Sequence, residues 1–220
     1  MIDYWRQLDI VSPSDLDFDV NLVGVGGLGS PIAMALVKMG CPRITFFDDD
    51  TVEPHNLPNQ LYRMADIGLP KVEALAKILR EYVDAEITPI NERVTKRTFG
   101  GIVISAVDSM AARRAIWENC VRYKAGVKLY IDARMGGEVG RVLTVSPTNP
   151  MGVSAYEATL FSDAEGSQEL CTAQATIYST FGIASLVANQ VKRFGRGESQ
   201  TYEHIIDFST SMLLTTEDPE

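Results

Sequence analysis

Short apolar runs alternate with amphipathic stretches through the first two thirds of the chain. Val20 to Val25 predicts a buried strand, Ser30 to Met39 a helix, and Arg43 to Phe47 a second strand that ends in Asp48, Asp49 and Asp50. Lys71 to Tyr82 predicts a helix, Glu86 to Ile90 and Gly101 to Ala106 two further strands, Ser109 to Tyr123 a helix, and Leu129 to Ala133 another strand. Strands alternating with helices at this spacing predict an α/β fold: a Rossmann-like, mostly parallel sheet covered by helices on both faces.

Beyond that point the pattern changes. Gly140 to Val145 predicts an additional strand, and Ser146 to Gln168 is rich in Pro, Gly, Ser, Asn and Asp, which predicts a long flexible crossover loop over about 146–170. A long helical pattern follows from Thr172 to Phe194, carried by Ile177, Phe181, Ala184, Leu186, Val187 and Val191. The tail from Thr201, with Ile205, Ile206 and Phe208, predicts a final C-terminal strand before an acidic, frayed end. The 220 residues read as a single domain, with 1–19 as an N-terminal arm and 146–170 as the crossover.

Composition narrows the classes. A hydrophobic fraction of 45% with 22% charged residues is ordinary for a globular chain, and the apolar stretches fall short of a membrane span. No membrane partner is expected. The opening MIDYWRQLDI lacks a basic start and a sustained apolar segment, so no secretory signal is read and a cytoplasmic location is expected. A net charge of −9 argues against broad nucleic-acid binding, because the phosphate backbone repels it. Three cysteines at wide spacing, Cys41, Cys120 and Cys171, suit free thiols rather than a disulfide framework. His55 and His204 are too few and too far apart to suggest a metal site.

The chemistry begins at Gly24-x-Gly26-x-x-Gly29, directly after a strand and opening a helix. The first glycine permits the tight turn, the second lets backbone approach a phosphate, and the third lets helix pack on strand. Asp48 then stands about twenty residues on, where a carboxylate suits a ribose hydroxyl. These features serve NAD and ATP equally, and a glycine turn without ligand is the third alternative. Lys71, after Pro70 at a helix start, is placed to reach back toward the glycine loop; the other reading is a solvated surface lysine.

Together these segments resemble the ThiF/MoeB/HesA superfamily, which includes the activating enzymes of ubiquitin and ubiquitin-like proteins. The matching pieces are Gly24-Val25-Gly26-Gly27-Leu28-Gly29, Asp48-Asp49-Asp50-Thr51-Val52, Asn56-Leu57-Pro58-Asn59-Gln60, Gly68-Leu69-Pro70-Lys71 and Asp108 in ISAVDSMAARRAIW. The resemblance runs from about Tyr4 to Phe194. It implies ATP as the nucleotide, with Asp48 on the ribose, Lys71 on the phosphates and Asp108 on a Mg²⁺ ion; Asp50, Asn56 and Gln60 belong to the same site. Asp108 also suits the N-cap of the next helix.

Further roles are implied by the same likeness. Tyr4-Trp5-Arg6-Gln7 is similar to the family's R-Y-x-R-Q element, so Arg6 is expected to clamp phosphate across a dimer interface, and a homodimer is expected. Asn59 stands where the family carries arginine; Arg63, one turn on, is the candidate substitute. Cys171 occupies the place where several members keep the cysteine that accepts the acyl group. The two CxxC pairs that bind zinc in many bacterial relatives are missing, so no zinc is expected. The implied activity is adenylation of the C-terminal carboxylate of a ubiquitin-like or sulfur-carrier protein ending Gly-Gly. The alternatives are a catalytically reduced partner subunit of a heterodimeric activating enzyme and an NAD-dependent oxidoreductase.

Overall fold

The computed structural model describes residues 2–161 and 175–217. In chain order they form β1 (Asp19–Val23), α1 (Gly29–Met39), β2 (Arg43–Phe47), α2 (Lys71–Arg80), β3 (Glu86–Ile90), β4 (Gly101–Ser105), α3 (Met110–Ile116), β5 (Val127–Gly136), β6 (Val139–Val145), α4 (Pro150–Glu157), α5 (Ile177–Gly195), β7 (Thr201–Asp207) and β8 (Met212–Glu217). The strands make one sheet in the order β3, β2, β1, β4, β5, β6, β7, β8. The first five are parallel, and β5 to β8 continue antiparallel.

Two apolar layers sandwich this sheet. On one face α1, α2 and α5 bury Ile32, Leu36, Val72, Leu75, Leu79, Ile183, Val187 and Val191. The spacing Val72, Leu75, Ala76, Leu79 is the stripe of an amphipathic helix, which is why α2 lies flat on the sheet. On the other face α3, the π-turn Trp117–Val121 and α4 bury Ile116, Trp117, Val121, Val153 and Tyr156. Trp117, Tyr130 and Tyr156 pack with ring centroids 4.4–5.4 Å apart, and aromatic pairs of this kind add about 0.5–1.5 kcal/mol each beyond their area. Central β4 is apolar on both sides (Ile102, Val103, Ile104), as a parallel strand covered twice must be.

Three elements differ from the sequence reading. The expected loop from Ser146 contains α4: Asn149 caps it by accepting from Met151 N–H at 3.0 Å, Pro150 sits in its first turn, and Val153 and Tyr156 turn inward. Asn-Pro is a helix start as well as a turn signal, and buried partners decided between them. The tail forms a hairpin, β7 and β8, rather than one strand. The helix expected over Ser109–Tyr123 is shorter, because the turn loosens to π geometry at Trp117. The remainder of the expected crossover and the start of the helix expected from Thr172 lie outside the described residues. Among the described residues no helix is long and apolar enough to cross a membrane.

The strand order reverses between β1 and β4, each of which is followed by a helix on the opposite face. Such a switch point opens a crevice beyond the carboxyl ends of the strands. The glycine loop leaves β1 there, and Ala106, Val107 and Asp108 leave β4.

Candidate functional site

A cleft of about 360 Å³ lies at that switch point, lined by Gly24, Gly26 and Gly27, the aspartates 48 to 50, Asn56, Gln60, Lys71, Arg93 and Asp108. The glycines divide the work as their spacing predicts. Gly24 has φ +87°, and a Cβ there would meet the Ala106 carbonyl at 2.7 Å. A Cβ on Gly29 would sit 1.9 Å from the Gly24 carbonyl oxygen, so the helix closes onto the turn. At Gly26 the nearest neighbour would be 3.9 Å away, which leaves the loop open to a ligand above it. Within the first turn of α1, Ser30 N–H donates to the Gly26 carbonyl at 3.0 Å, Ile32 N–H to the Leu28 carbonyl at 3.2 Å and Pro31 has no N–H, so the amides left for an anion are those of the glycine loop that leads into the helix.

Asp48 directly follows β2 and ties the loop in place. Its carboxylate accepts from Val25 N–H at 2.8 Å and from Asp50 N–H at 2.9 Å. Burial pushes its pKa up, against the pull of those two N–H groups and of Lys71. Lys71 opens α2 with its side chain 9% exposed, and its Nζ lies 2.7 Å from Asp50 Oδ2. The backbone repeats the link, since Lys71 N–H donates to the Asp50 carbonyl at 2.9 Å and Thr51 bridges to Pro70. Lys71 is therefore a held, inward cation rather than a solvated one.

Asp108 stands at the carboxyl end of β4, exposed, and accepts no hydrogen bond among the described residues. It is not the helix cap: Ser109 is, accepting from Ala112 N–H at 3.2 Å. Asn56 spends its Oδ1 on Glu53 N–H at 2.8 Å, while Asn59 Oδ1 and Gln60 Oε1 are buried beside the glycine loop without a partner among the described residues. The donor set fits a nucleotide with a hard cation. Asp48, Asp49 and Asp50 offer oxygens within 4.8 Å of one another, Asp108 faces them, and carboxylate oxygens are what Mg²⁺ takes.

Two sequence candidates do not meet the cleft in this chain. Arg63 is engaged elsewhere, with Nε 3.0 Å from Asp66 and Nη1 3.0 Å from Glu81. Arg6 lies against the Trp5 ring, 5.3 Å from its centroid, on the N-terminal arm. Cys171 lies outside the described residues, and Cys41 and Cys120 are buried free thiols. Conversely, Arg93 lines the cleft: its Nε bonds Asp49 at 3.1 and 3.3 Å, and its two terminal nitrogens have no partner among the described residues. The signal for it was its place three residues beyond the end of β3, on the ligand side of the sheet.

A second groove, of about 440 Å³, joins the cleft at Gly27, Gln60, Ala106, Val107 and Asp108. It runs over β5, β6 and β7, with Met135, Val139, Ile205 and three arginines along it. Beneath lies buried Asp132, held by Arg113 at 2.6 Å, Arg134 at 2.8 Å and the Tyr156 hydroxyl at 2.9 Å. Burial acts to raise the Asp132 pKa, and the two arginines outweigh it and hold the carboxyl below its ordinary value. A charged residue in the middle of an apolar strand and an arginine inside a helix gave no motif from which this cluster could be read.

The geometry agrees with comparisons to known proteins. The model of the ThiF family matches residues 15–212. The chain is 27% identical over 176 residues to the sulfur carrier protein ThiS adenylyltransferase of Escherichia coli (strain K12), covering 76% of this chain and 68% of that one. It is 31% identical over 165 residues to the molybdopterin-synthase adenylyltransferase of Haemophilus influenzae, covering 67% and 66%, and 32% identical over 139 residues to the SAMP-activating enzyme E1 of Haloferax volcanii, covering 60% and 50%. The chain thus spans half to two thirds of the length of these relatives. Among solved structures, E. coli MccB with ATP superposes over 94% of this chain and 66% of its own with a TM-score of 0.71 at 15% identity, a likeness of fold. By the extent of the family match and the ordered motifs around one cleft, the chain belongs to the ThiF family.

Proposed function

We propose that the protein is an ATP-dependent adenylyltransferase that activates the C-terminal carboxylate of a ubiquitin-like or sulfur-carrier protein ending Gly-Gly. The observation that carries this reading is the junction of two cavities at Asp108: the cleft lined by the glycine loop, the aspartates and Lys71 adjoins a second groove of about 440 Å³, in which this reading seats the carrier's tail. The relatives named above, which are adenylyltransferases of carrier proteins and an activating enzyme, support the same reading.

In this mechanism the glycine loop leading into α1 holds the phosphates, and Asp48 the ribose edge. Lys71 leaves Asp50 to pair with phosphate, freeing that carboxylate. Asp108, with help from Asp50, would hold Mg²⁺, which supplies charge neutralisation on the phosphates when bound. A carboxylate oxygen of the carrier attacks the α-phosphorus; a new P–O bond forms, the α–β bridging bond breaks, and its electron pair leaves with pyrophosphate. Alignment and charge neutralisation supply most of the acceleration.

Arg6 completes the site from a second protomer in this proposal. Trp5, Leu8 and Ile10 around it are 64%, 48% and 62% exposed, an apolar arm suited to docking on another copy. Transfer of the acyl group to Cys171 is a separate proposal, tested by a carrier adduct that is thiol-labile and disappears in Cys171→Ala. The reading as a whole is tested by ATP–pyrophosphate exchange with Gly-Gly carriers: carrier-dependent exchange supports it, and tight NAD binding without ATP binding would remove it.

A further inference from the structure

Asp108 is exposed, and its carboxylate accepts no hydrogen bond among the described residues, so its place in the cleft is set by the backbone that carries it. That backbone is anchored on either side. Ala106 N–H donates to the Val23 carbonyl at 2.8 Å, which ties the end of β4 to β1, and Ser109 caps α3. Between these anchors the Val107 carbonyl, which shares its peptide plane with the Asp108 N–H, accepts from Arg113 Nη2 at 2.8 Å. The arginine reaches back over the first turn of its own helix to hold the peptide that bears the carboxylate.

Arg113 is itself held. Its side chain is 4% exposed, its Nε donates to Asp132 Oδ1 at 2.6 Å, and its Nη2 also donates to the Ala133 carbonyl at 3.2 Å. The planar fork bridges the loop after β4 to the neighbouring strand β5, a geometry that a single ammonium does not reproduce. Asp132 keeps partners without it, because its Oδ2 accepts from Arg134 Nε at 2.8 Å and from the Tyr156 hydroxyl at 2.9 Å. Resting on the reading of Asp108 as the Mg²⁺-binding carboxylate of the cleft, we propose that Arg113 is its positioning residue, fixing Asp108 through the Val107 carbonyl. Position and charge act in opposite senses here. A cation near a Mg²⁺ site repels the metal, so loss of Arg113 tightens Mg²⁺ binding if it acts by its field and loosens it if it acts by holding the loop.

The test measures how far Mg²⁺ tightens the binding of a fluorescent, non-hydrolysable ATP analogue to the full chain, with thermal unfolding followed alongside. Arg113→Met, which leaves Asp132 matched by Arg134, is expected to weaken this Mg²⁺ effect about tenfold, as loss of a group behind a metal ligand does. Arg113→Lys, which keeps the charge but has one nitrogen where arginine uses two, is expected to weaken it as well. Tyr156→Phe removes a different bond to Asp132 and is expected to lower Tm with the Mg²⁺ effect intact. In an Asp108→Ala background, Arg113→Met is expected to change the effect no further. An unchanged or stronger Mg²⁺ effect in the Arg113 variants, or a further loss in the Asp108→Ala background, overturns the positioning role and leaves the reading of Asp108 standing. Analogue binding that Mg²⁺ does not tighten, or a Mg²⁺ effect that persists in Asp108→Ala, overturns that reading and this inference with it.

Discussion

Lys71 is bound twice to Asp50, by its ammonium to the carboxylate at 2.7 Å and by its backbone N–H to the carbonyl at 2.9 Å. The second bond survives any change of side chain, so the loop stays put while the charge is removed. Lys71→Met is expected to lower kcat/KM for ATP-dependent exchange by about 10²–10³-fold, as loss of one placed charge does, with little change in Tm. Exchange kinetics beside thermal unfolding separate the two effects.

The glycine loop makes a contrasting pair. Gly29→Ala drives a Cβ to within 1.9 Å of the Gly24 carbonyl and is expected to lose folded yield. Gly26→Ala meets nothing closer than 3.9 Å, so it is expected to fold normally and weaken only nucleotide binding, read by titration with a fluorescent ATP analogue. Equal loss of stability in both variants would remove the assignment of roles within the loop.

Much of this was legible in the chain. The bounds of β2 and β3 and the starts of α2 and β4 agree with the sequence reading to the residue: β4, buried on both faces, is an unbroken apolar run, while β3 at the sheet edge alternates exposed Glu86 and Thr88 with buried Ile87. What escaped notice depended on partners distant in sequence. Asn149 and Pro150 became a helix start because Val153 and Tyr156 found Trp117. Six exposed residues of β8 carry no buried face to announce a strand, and β7 alone supplies their ladder. Ser109 takes the cap that was the alternative reading of Asp108, leaving that carboxylate to the cleft.

Arg93, for which the sequence reading had no role, lines the cleft, and Arg63, the candidate substitute for the missing arginine, does not. Arg63 spends its guanidinium on Asp66 and Glu81, away from the cleft, and the two terminal nitrogens of Arg93, which lines it, have no partner among the described residues. Arg93→Ala is expected to raise the KM for ATP severalfold, more at low salt than at high salt, while Arg63→Ala leaves that KM unchanged. The reverse result, measured by exchange over a salt series, would return the missing cation to Arg63.

Asp132 sets an acid limit on the fold. Its folded pKa lies below the unfolded value, so its ion pairs contribute stability that is present above about pH 4 and lost as pH falls through the folded pKa. Asp132→Asn leaves two arginines without a counter-charge and is expected to cost about 3–5 kcal/mol at neutral pH. Urea unfolding at pH 7 and pH 3.5 should show that this difference between the variants shrinks on acidification.

The adenylation reading meets its most direct test in the intact mass of a Gly-Gly carrier incubated with this protein and MgATP under mild quenching. The account predicts an AMP adduct on the carrier's C-terminal carboxylate, formed with release of pyrophosphate and lost in Asp108→Ala at unchanged Tm. Release of ADP and phosphate without an adduct, or an adduct that persists in Asp108→Ala, would contradict it.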